Sequence, residues 1–70
     1  MTFREEIKEK GIYVVVIARP YISGITITAV RFDSQHFEIL GDDRFYTHED
    51  LDKIWVLLEI RQYISTSMAQ

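Results

Sequence analysis

The spacing of hydrophobic residues changes twice along the chain. Phe3 and Ile7 lie four positions apart near the N-terminus, and an unbroken apolar run follows from Ile12 to Ala18. Strand-like alternation and β-branched residues continue through the middle of the chain. From Leu51 onward the apolar positions recur every three or four residues, which is typical of a helix face. The pattern therefore predicts a helix, a group of strands and a second helix.

The first helix is predicted from signals at both of its ends. Thr2 followed three positions later by Glu5 has the form of a capping box, in which the two side chains bond the first backbone N–H groups. Gly11 stands where a left-handed residue would end the helix. These signals predict a helix over residues 3–10.

The second helix is predicted to begin after Thr47, with Asp50 as its capping partner, and to cover residues 48–64. Residues 65–70 are expected to fray. The apolar surface of this helix is wider than one narrow stripe, so it needs cover on more than one side. One stripe of this helix carries Leu51, Ile54, Trp55, Leu58 and Gln62, and the apolar surface is widened by Val56, Leu57, Ile60 and Ile64.

Three strands are predicted between the helices, over residues 12–19, 25–33 and 36–40. Pro20 begins a turn between the first two strands, and Gly41 follows the third. The chain is therefore expected to form one α+β domain over residues 1–70. Its order is helix, three-stranded antiparallel meander, helix, with both helices packed on one sheet face.

The charge is distributed unevenly along the chain. The net charge is −3, but residues 33–59 carry eight acids against two bases, a local charge of −6. Acids in turns and first helical turns commonly serve as caps. The same carboxylates also fit a docking surface for a basic protein, because a concentrated field steers association. We call the acids that flank the strand-to-helix turn the acidic connection: Asp42, Asp43, Glu49, Asp50 and Asp52.

A second candidate surface is the tip of the first hairpin. Tyr21 and Ile22 stand there beside Arg19, and an exposed aromatic next to arginine is typical of an interface hot spot. The alternative is that Tyr21 folds back over Pro20 or the sheet edge. A rival function, nucleic-acid binding, would use a basic face, although the net acidity opposes it. That face would comprise Arg4, Lys8, Arg19 and Arg31.

Catalysis, cofactors and metal binding are not expected. The chain has no cysteine, and no serine or lysine stands in a recognisable nucleophile motif. His36 and His48 are widely separated, and the acids lack the spacing of a calcium loop. The longest apolar run has seven residues, too few to cross a membrane, and the N-terminus has no export signal. We therefore expect a cytoplasmic protein.

These observations together predict a non-catalytic protein-interaction module that binds a basic macromolecular partner, with the acidic connection favoured over the hairpin tip as its binding surface. Its small size and acidity are typical of phage and mobile-element inhibitors or adaptors, which occupy a surface of other machinery. A homodimer is also expected, because 47% of residues are hydrophobic and no disulfide reinforces so small a core. Self-association would use the apolar surplus of the second helix or an open sheet edge.

Overall fold

A computed structural model describes residues 1–66, and most of them belong to one five-stranded antiparallel sheet. The strand order across the sheet is β4-β3-β2-β1-β5, so the long second and first strands form its centre. The elements along the chain are α1 (Phe3–Glu6), β1 (Gly11–Arg19), β2 (Ile22–Phe32), β3 (Phe37–Ile39), β4 (Phe45–Tyr46), α2 (His48–Ile54) and β5 (Val56–Ser65).

The predicted α+β order of helix, three-stranded meander and helix is wrong. The second helix ends at Ile54, and Trp55 turns to an extended conformation with φ −132° and ψ 151°. Residues 56–65 form β5 along the free edge of β1. This segment is rich in β-branched and aromatic residues, so it suits a strand as well as a helix. Pairing with β1 decides the outcome, because it satisfies the backbone groups of a long central strand.

The first helix is also shorter than predicted. It ends at Glu6, and Ile7 is extended with φ −110° and ψ 105°. So short a helix gains little from its own hydrogen bonds and depends on packing. The buried side chains of Phe3 and Ile7 provide that packing, whereas the charged residues 8–10 add none. Gly11 therefore begins β1 rather than capping a helix.

The pairing register of β1 determines which residues share a face of the sheet. Its partners on β2 run from Gly11↔Phe32 to Ala18↔Ile25 without interruption. Its pairing with β5 shifts twice, after Val14 and after Val16, which marks two β-bulges in β5. The last residue of β5, Ser65, pairs with Gly11, and residues 67–70 of the predicted frayed end lie outside the described part of the chain.

The hydrophobic core lies on one face of the sheet, beneath both helices. Phe3 contacts Phe37 edge-on with ring centroids 5.9 Å apart, and it also contacts Trp55 at 6.1 Å. Within residues 1–66, the opposite face carries no helix, and we call it the helix-free face. The buried core cluster comprises Phe3, Ile7, Tyr13, Val15, Ile17, Val30, Phe32, Phe37, Leu51 and Leu57.

Candidate functional site

Asp50, in the acidic connection, caps α2. Its carboxylate accepts a hydrogen bond from the Thr47 N–H at 2.9 Å, and the Thr47 hydroxyl oxygen accepts one from the Asp50 N–H at 3.0 Å. The capping box predicted from these two residues is therefore confirmed. The hydrogen bond from the Thr47 backbone lowers the pKa of the Asp50 carboxyl. The charge of Asp50 is engaged in starting the helix.

Asp52 connects the two helices. Its carboxylate oxygens accept hydrogen bonds from the backbone N–H groups of Phe3, at 2.7 Å, and Arg4, at 3.2 Å. The first N–H groups of a helix have no partner inside the helix, so a carboxylate there is favourable. Asp52 thus holds α1 against α2 across 49 positions of sequence.

Asp42 and Glu49 are paired with nearby cations. Asp42 accepts from the Arg44 guanidinium at 3.3 Å and from the Tyr46 hydroxyl at 2.9 Å. The Arg44 side chain is the main reason that the pKa of Asp42 falls to about 2. Glu49 lies 3.7 Å from the Lys53 ammonium, one helical turn away. The Glu49–Lys53 pair is exposed on both sides and adds little to stability, whereas the Asp42 side chain is only 25% exposed beside the 75% exposed Arg44. Both pairs reduce the local negative charge.

Asp43 differs from the other four members of the acidic connection. It is exposed, in the turn between β3 and β4, and its carboxylate is not among the hydrogen bonds or ion pairs within residues 1–66. The remaining four carboxylates cap helices or face a cation. The acidic connection therefore presents much less free charge than its five carboxylates suggest.

The hairpin tip lies in the turn between β1 and β2, and its two candidate anchors are exposed. Tyr21 is 96% exposed and Ile22 is 53% exposed. The alternative in which Tyr21 folds back over Pro20 or the sheet edge is therefore wrong. The Arg19 guanidinium donates to the Thr26 hydroxyl at 3.0 Å and braces the strands just below the tip. The tip presents a large aromatic side chain on a braced hairpin.

The four basic residues do not form one surface. Arg4 lies on α1, and Lys8 follows that helix on the side that covers the core. Arg31 alternates with the buried residues Val30 and Phe32, so it projects from the helix-free face. Arg19 lies at the far end of β1. The predicted basic face is therefore divided among three parts of the molecule.

The helix-free face is a feature that sequence reasoning missed. Ile25 and Ile27 lie on it opposite Ala18 and Val16 of β1, and they are 67% and 55% exposed. Val16 is buried but belongs to no part of the core cluster, as expected for a residue on the other side of the sheet. The other exposed apolar residues that the register places on this face are Leu40, Phe45, Val56 and Ile64.

The sequence did contain a signal for this face. The residues from Ile12 to Ala18 are apolar on both faces of β1, without the polar alternation of a half-exposed strand. A strand of this kind is typically buried on both sides. The two helices cover only one side.

The histidines serve packing roles. The His48 Nε2 atom lies 2.7 Å from the Ile7 carbonyl oxygen, and its ring meets Phe32 and Phe37 edge-on. His36 contacts the ring of Phe45. Among residues 1–66, no three histidine, aspartate or glutamate side chains gather as a metal site would require. In the same range, neither helix is long and apolar enough to cross a lipid bilayer.

Comparisons with protein-family models, curated proteins and solved structures find no match for this chain. Function must therefore be inferred from the surfaces described above.

Proposed function

We propose that the protein is a non-catalytic protein-interaction module, an inhibitor or adaptor, that binds a partner protein through the tip of the β1–β2 hairpin. The observation that carries the proposal is the 96% exposure of Tyr21 on a braced hairpin. Tyrosine combines a large apolar ring with a hydroxyl and few rotatable bonds, so it loses little entropy when it is held in a pocket.

The side chains around Tyr21 indicate the chemistry of the partner. Ile22 extends the apolar surface, and the Arg19 guanidinium lies just below it. A complementary site is an apolar pocket that takes the tyrosine ring, with a carboxylate at its rim to pair with Arg19. Truncating an anchor of this kind commonly costs about 2 kcal/mol of binding energy or more, roughly a 30-fold loss of affinity.

The acidic connection is the weaker candidate surface. Four of its five carboxylates are engaged within the domain, and Asp43 is the member left to meet a basic partner. Nucleic-acid binding is weaker still, because the basic residues are divided among three parts of the molecule and the net charge is −3.

The proposal is tested by photo-crosslinking in the native cell, with a benzophenone amino acid placed at the exposed position 23, beside Tyr21, or at position 43. We expect a defined protein adduct from position 23 and none from position 43. A purified partner should then bind Tyr21→Ala about 30-fold more weakly than wild type and bind Asp43→Lys normally. Both positions are exposed, so neither change should disturb the fold.

Two results would contradict the proposal. An adduct formed only from position 43, with binding lost in Asp43→Lys, would transfer the function to the acidic connection. Retention on DNA or RNA that weakens steeply with salt, without any protein adduct, would favour the nucleic-acid alternative.

A further inference from the structure

The helix-free face of the sheet is apolar at its centre and polar at its rim. The β1 column on this face reads Ile12, Val14, Val16 and Ala18, and β2 adds Ile25 and Ile27 beside it. No charged side chain lies in the β1 column. An antiparallel sheet that meets water on one face usually carries polar residues there, so the composition of this face is that of a buried surface.

The exposed area is close to what a stable dimer needs. Ile25, Ile27, Leu40, Phe45, Val56 and Ile64 are each 46% to 67% exposed. At about 100 Å² of exposed surface each, these six side chains present on the order of 600 Å². The half-buried residues of β1 increase this area. An interface of standard size buries about 800 Å² per partner.

The charges around this face balance one another. Arg31 pairs in register with Glu38 near one corner. Glu59 accepts a hydrogen bond from Arg61 at 3.1 Å on the opposite edge strand. Two identical faces can therefore meet without placing an excess of like charge at the contact. A surface for anionic membranes or nucleic acid would instead carry an excess of lysine and arginine.

The sheet edges are less suitable for self-association than the face. The outer edge strand β5 is interrupted by two bulges and carries the Glu59–Arg61 pair, both of which oppose pairing with another strand. The other edge strand, β4, has only two residues. Face-to-face packing of two sheets requires neither edge.

We propose that a second copy of this chain covers the helix-free face, so that two sheets pack back to back in a twofold-symmetric dimer with the helices on the outside. This inference goes beyond the proposed function and does not depend on it. The helical surplus expected to drive dimerisation does not exist, since residues 56–64 belong to β5. Instead, the apolar residues Ile25, Ile27 and Val56 meet across a twofold axis.

The experiment measures the oligomeric state of the full chain by sedimentation equilibrium, with Ile27→Lys as the disrupting variant. Ile27 is 55% exposed, so the lysine is tolerated in the monomer but meets an apolar surface twice in each dimer. Ile54→Lys is the matched control, because Ile54 is 40% exposed on the helical side. Circular dichroism verifies that each variant folds.

We expect wild type and Ile54→Lys to be dimers at about 100 μM, and the dissociation constant of Ile27→Lys to rise by about 100-fold or more. A wild-type monomer at that concentration would overturn the inference. So would a dimer that persists unchanged in Ile27→Lys, which would place the contact elsewhere. If Ile27→Lys does not fold, Ile25→Thr, at a 67% exposed position, replaces it with the same direction of change expected.

A further variant separates this inference from the proposed function. Tyr21→Ala should dimerise like wild type, because the tip lies beyond the paired rows of the helix-free face. If the hairpin tip proves not to bind any partner, dimerisation of Tyr21→Ala and of wild type is unaffected.

Discussion

Replacing Asp52 with alanine tests whether the acidic connection serves the fold. The carboxylate of Asp52 accepts hydrogen bonds from the Phe3 and Arg4 N–H groups and is the tertiary anchor of α1. That helix has only four residues, so few intrahelical bonds compensate for the loss. The substitution leaves two backbone donors at a helix N-terminus without this acceptor.

The expected loss follows from the geometry of these two bonds. The bond to Phe3 is short, at 2.7 Å, and partly buried. A bond of this kind to a charged acceptor contributes about 1.5–3 kcal/mol. The bond to Arg4 is longer, at 3.2 Å, and exposed, so it adds little. We therefore expect Asp52→Ala to lower the free energy of unfolding by about 2 kcal/mol, which corresponds to roughly 8–16 °C in melting temperature for a domain of this size.

Urea unfolding monitored by fluorescence of the single tryptophan is a suitable assay. Trp55 contacts Phe3 of α1, with ring centroids 6.1 Å apart, so its emission reports whether α1 is docked. All samples are compared at one protein concentration, because a dimer would otherwise add a concentration-dependent stabilisation. Asp43→Ala is the control and should change stability by less than about 0.5 kcal/mol. If Asp52→Ala loses no more than this control, the anchoring role of Asp52 is refuted.

Three further outcomes follow from local geometry. Gly11→Ala should destabilise by about 2–3 kcal/mol in urea unfolding, because the added Cβ would lie 2.5 Å from a side-chain carbon of β5 and 2.6 Å from a carbonyl oxygen of β5; Gly24→Ala, with φ 96° and open space, should cost only about 1 kcal/mol. In an NMR titration, the Asp42 carboxyl should titrate near pH 2, and Arg44→Gln should move its midpoint towards 3.8. Because this pKa is lowered on folding, the stabilising contribution is complete above pH 3.8 and is lost as the pH falls through about 2. His48→Ala should lower the free energy of unfolding by about 1.5–3 kcal/mol, which is measured as a lower melting temperature. The variant loses the edge-on contacts of the His48 ring with Phe32 and Phe37 and the hydrogen bond to the Ile7 carbonyl oxygen.

Local signals in the sequence predicted local features well. The Thr47–Asp50 box starts α2 as expected, because a cap depends on residues within one turn. The strands predicted over 12–19, 25–33 and 36–40 overlap β1, β2 and β3. Their residues are β-branched and aromatic, and turn residues separate them.

The segment after Trp55 could not be assigned from its own residues. Its apolar positions satisfy a helical stripe, yet its composition also suits a strand. The free edge of β1 decides between the two, and β1 lies about 45 positions earlier in the chain. The helix-free face was missed for the same reason. Residues 56–64 were assigned to a helix, and that helix was expected to pack on the sheet and to account for the excess of apolar residues.

At the candidate sites too, local features could be predicted from the sequence, whereas contacts between distant residues could not. The exposure of Tyr21 and Ile22 agrees with the expectation of anchors at a hairpin tip, because a tip residue has few neighbours to cover it. The engagement of Asp52 with α1 depends on two helices meeting across 49 positions, which no local pattern indicates. A count of charges therefore overstated how much of the acidic connection is free to bind.

The placement of the acids also bears on self-association. Each chain carries a net charge of −3, so two copies repel one another unless their acidic regions are kept apart. Three members of the acidic connection, Glu49, Asp50 and Asp52, lie on α2, on the side of the sheet opposite the helix-free face. In the proposed dimer, the two sheets and their helix layers separate these regions by about 30 Å, at about 10 Å for each pair of adjacent layers. That distance is several times the Debye length of about 8–10 Å at ordinary salt. The acids can thus cap and join the helices without opposing an apolar contact on the other face.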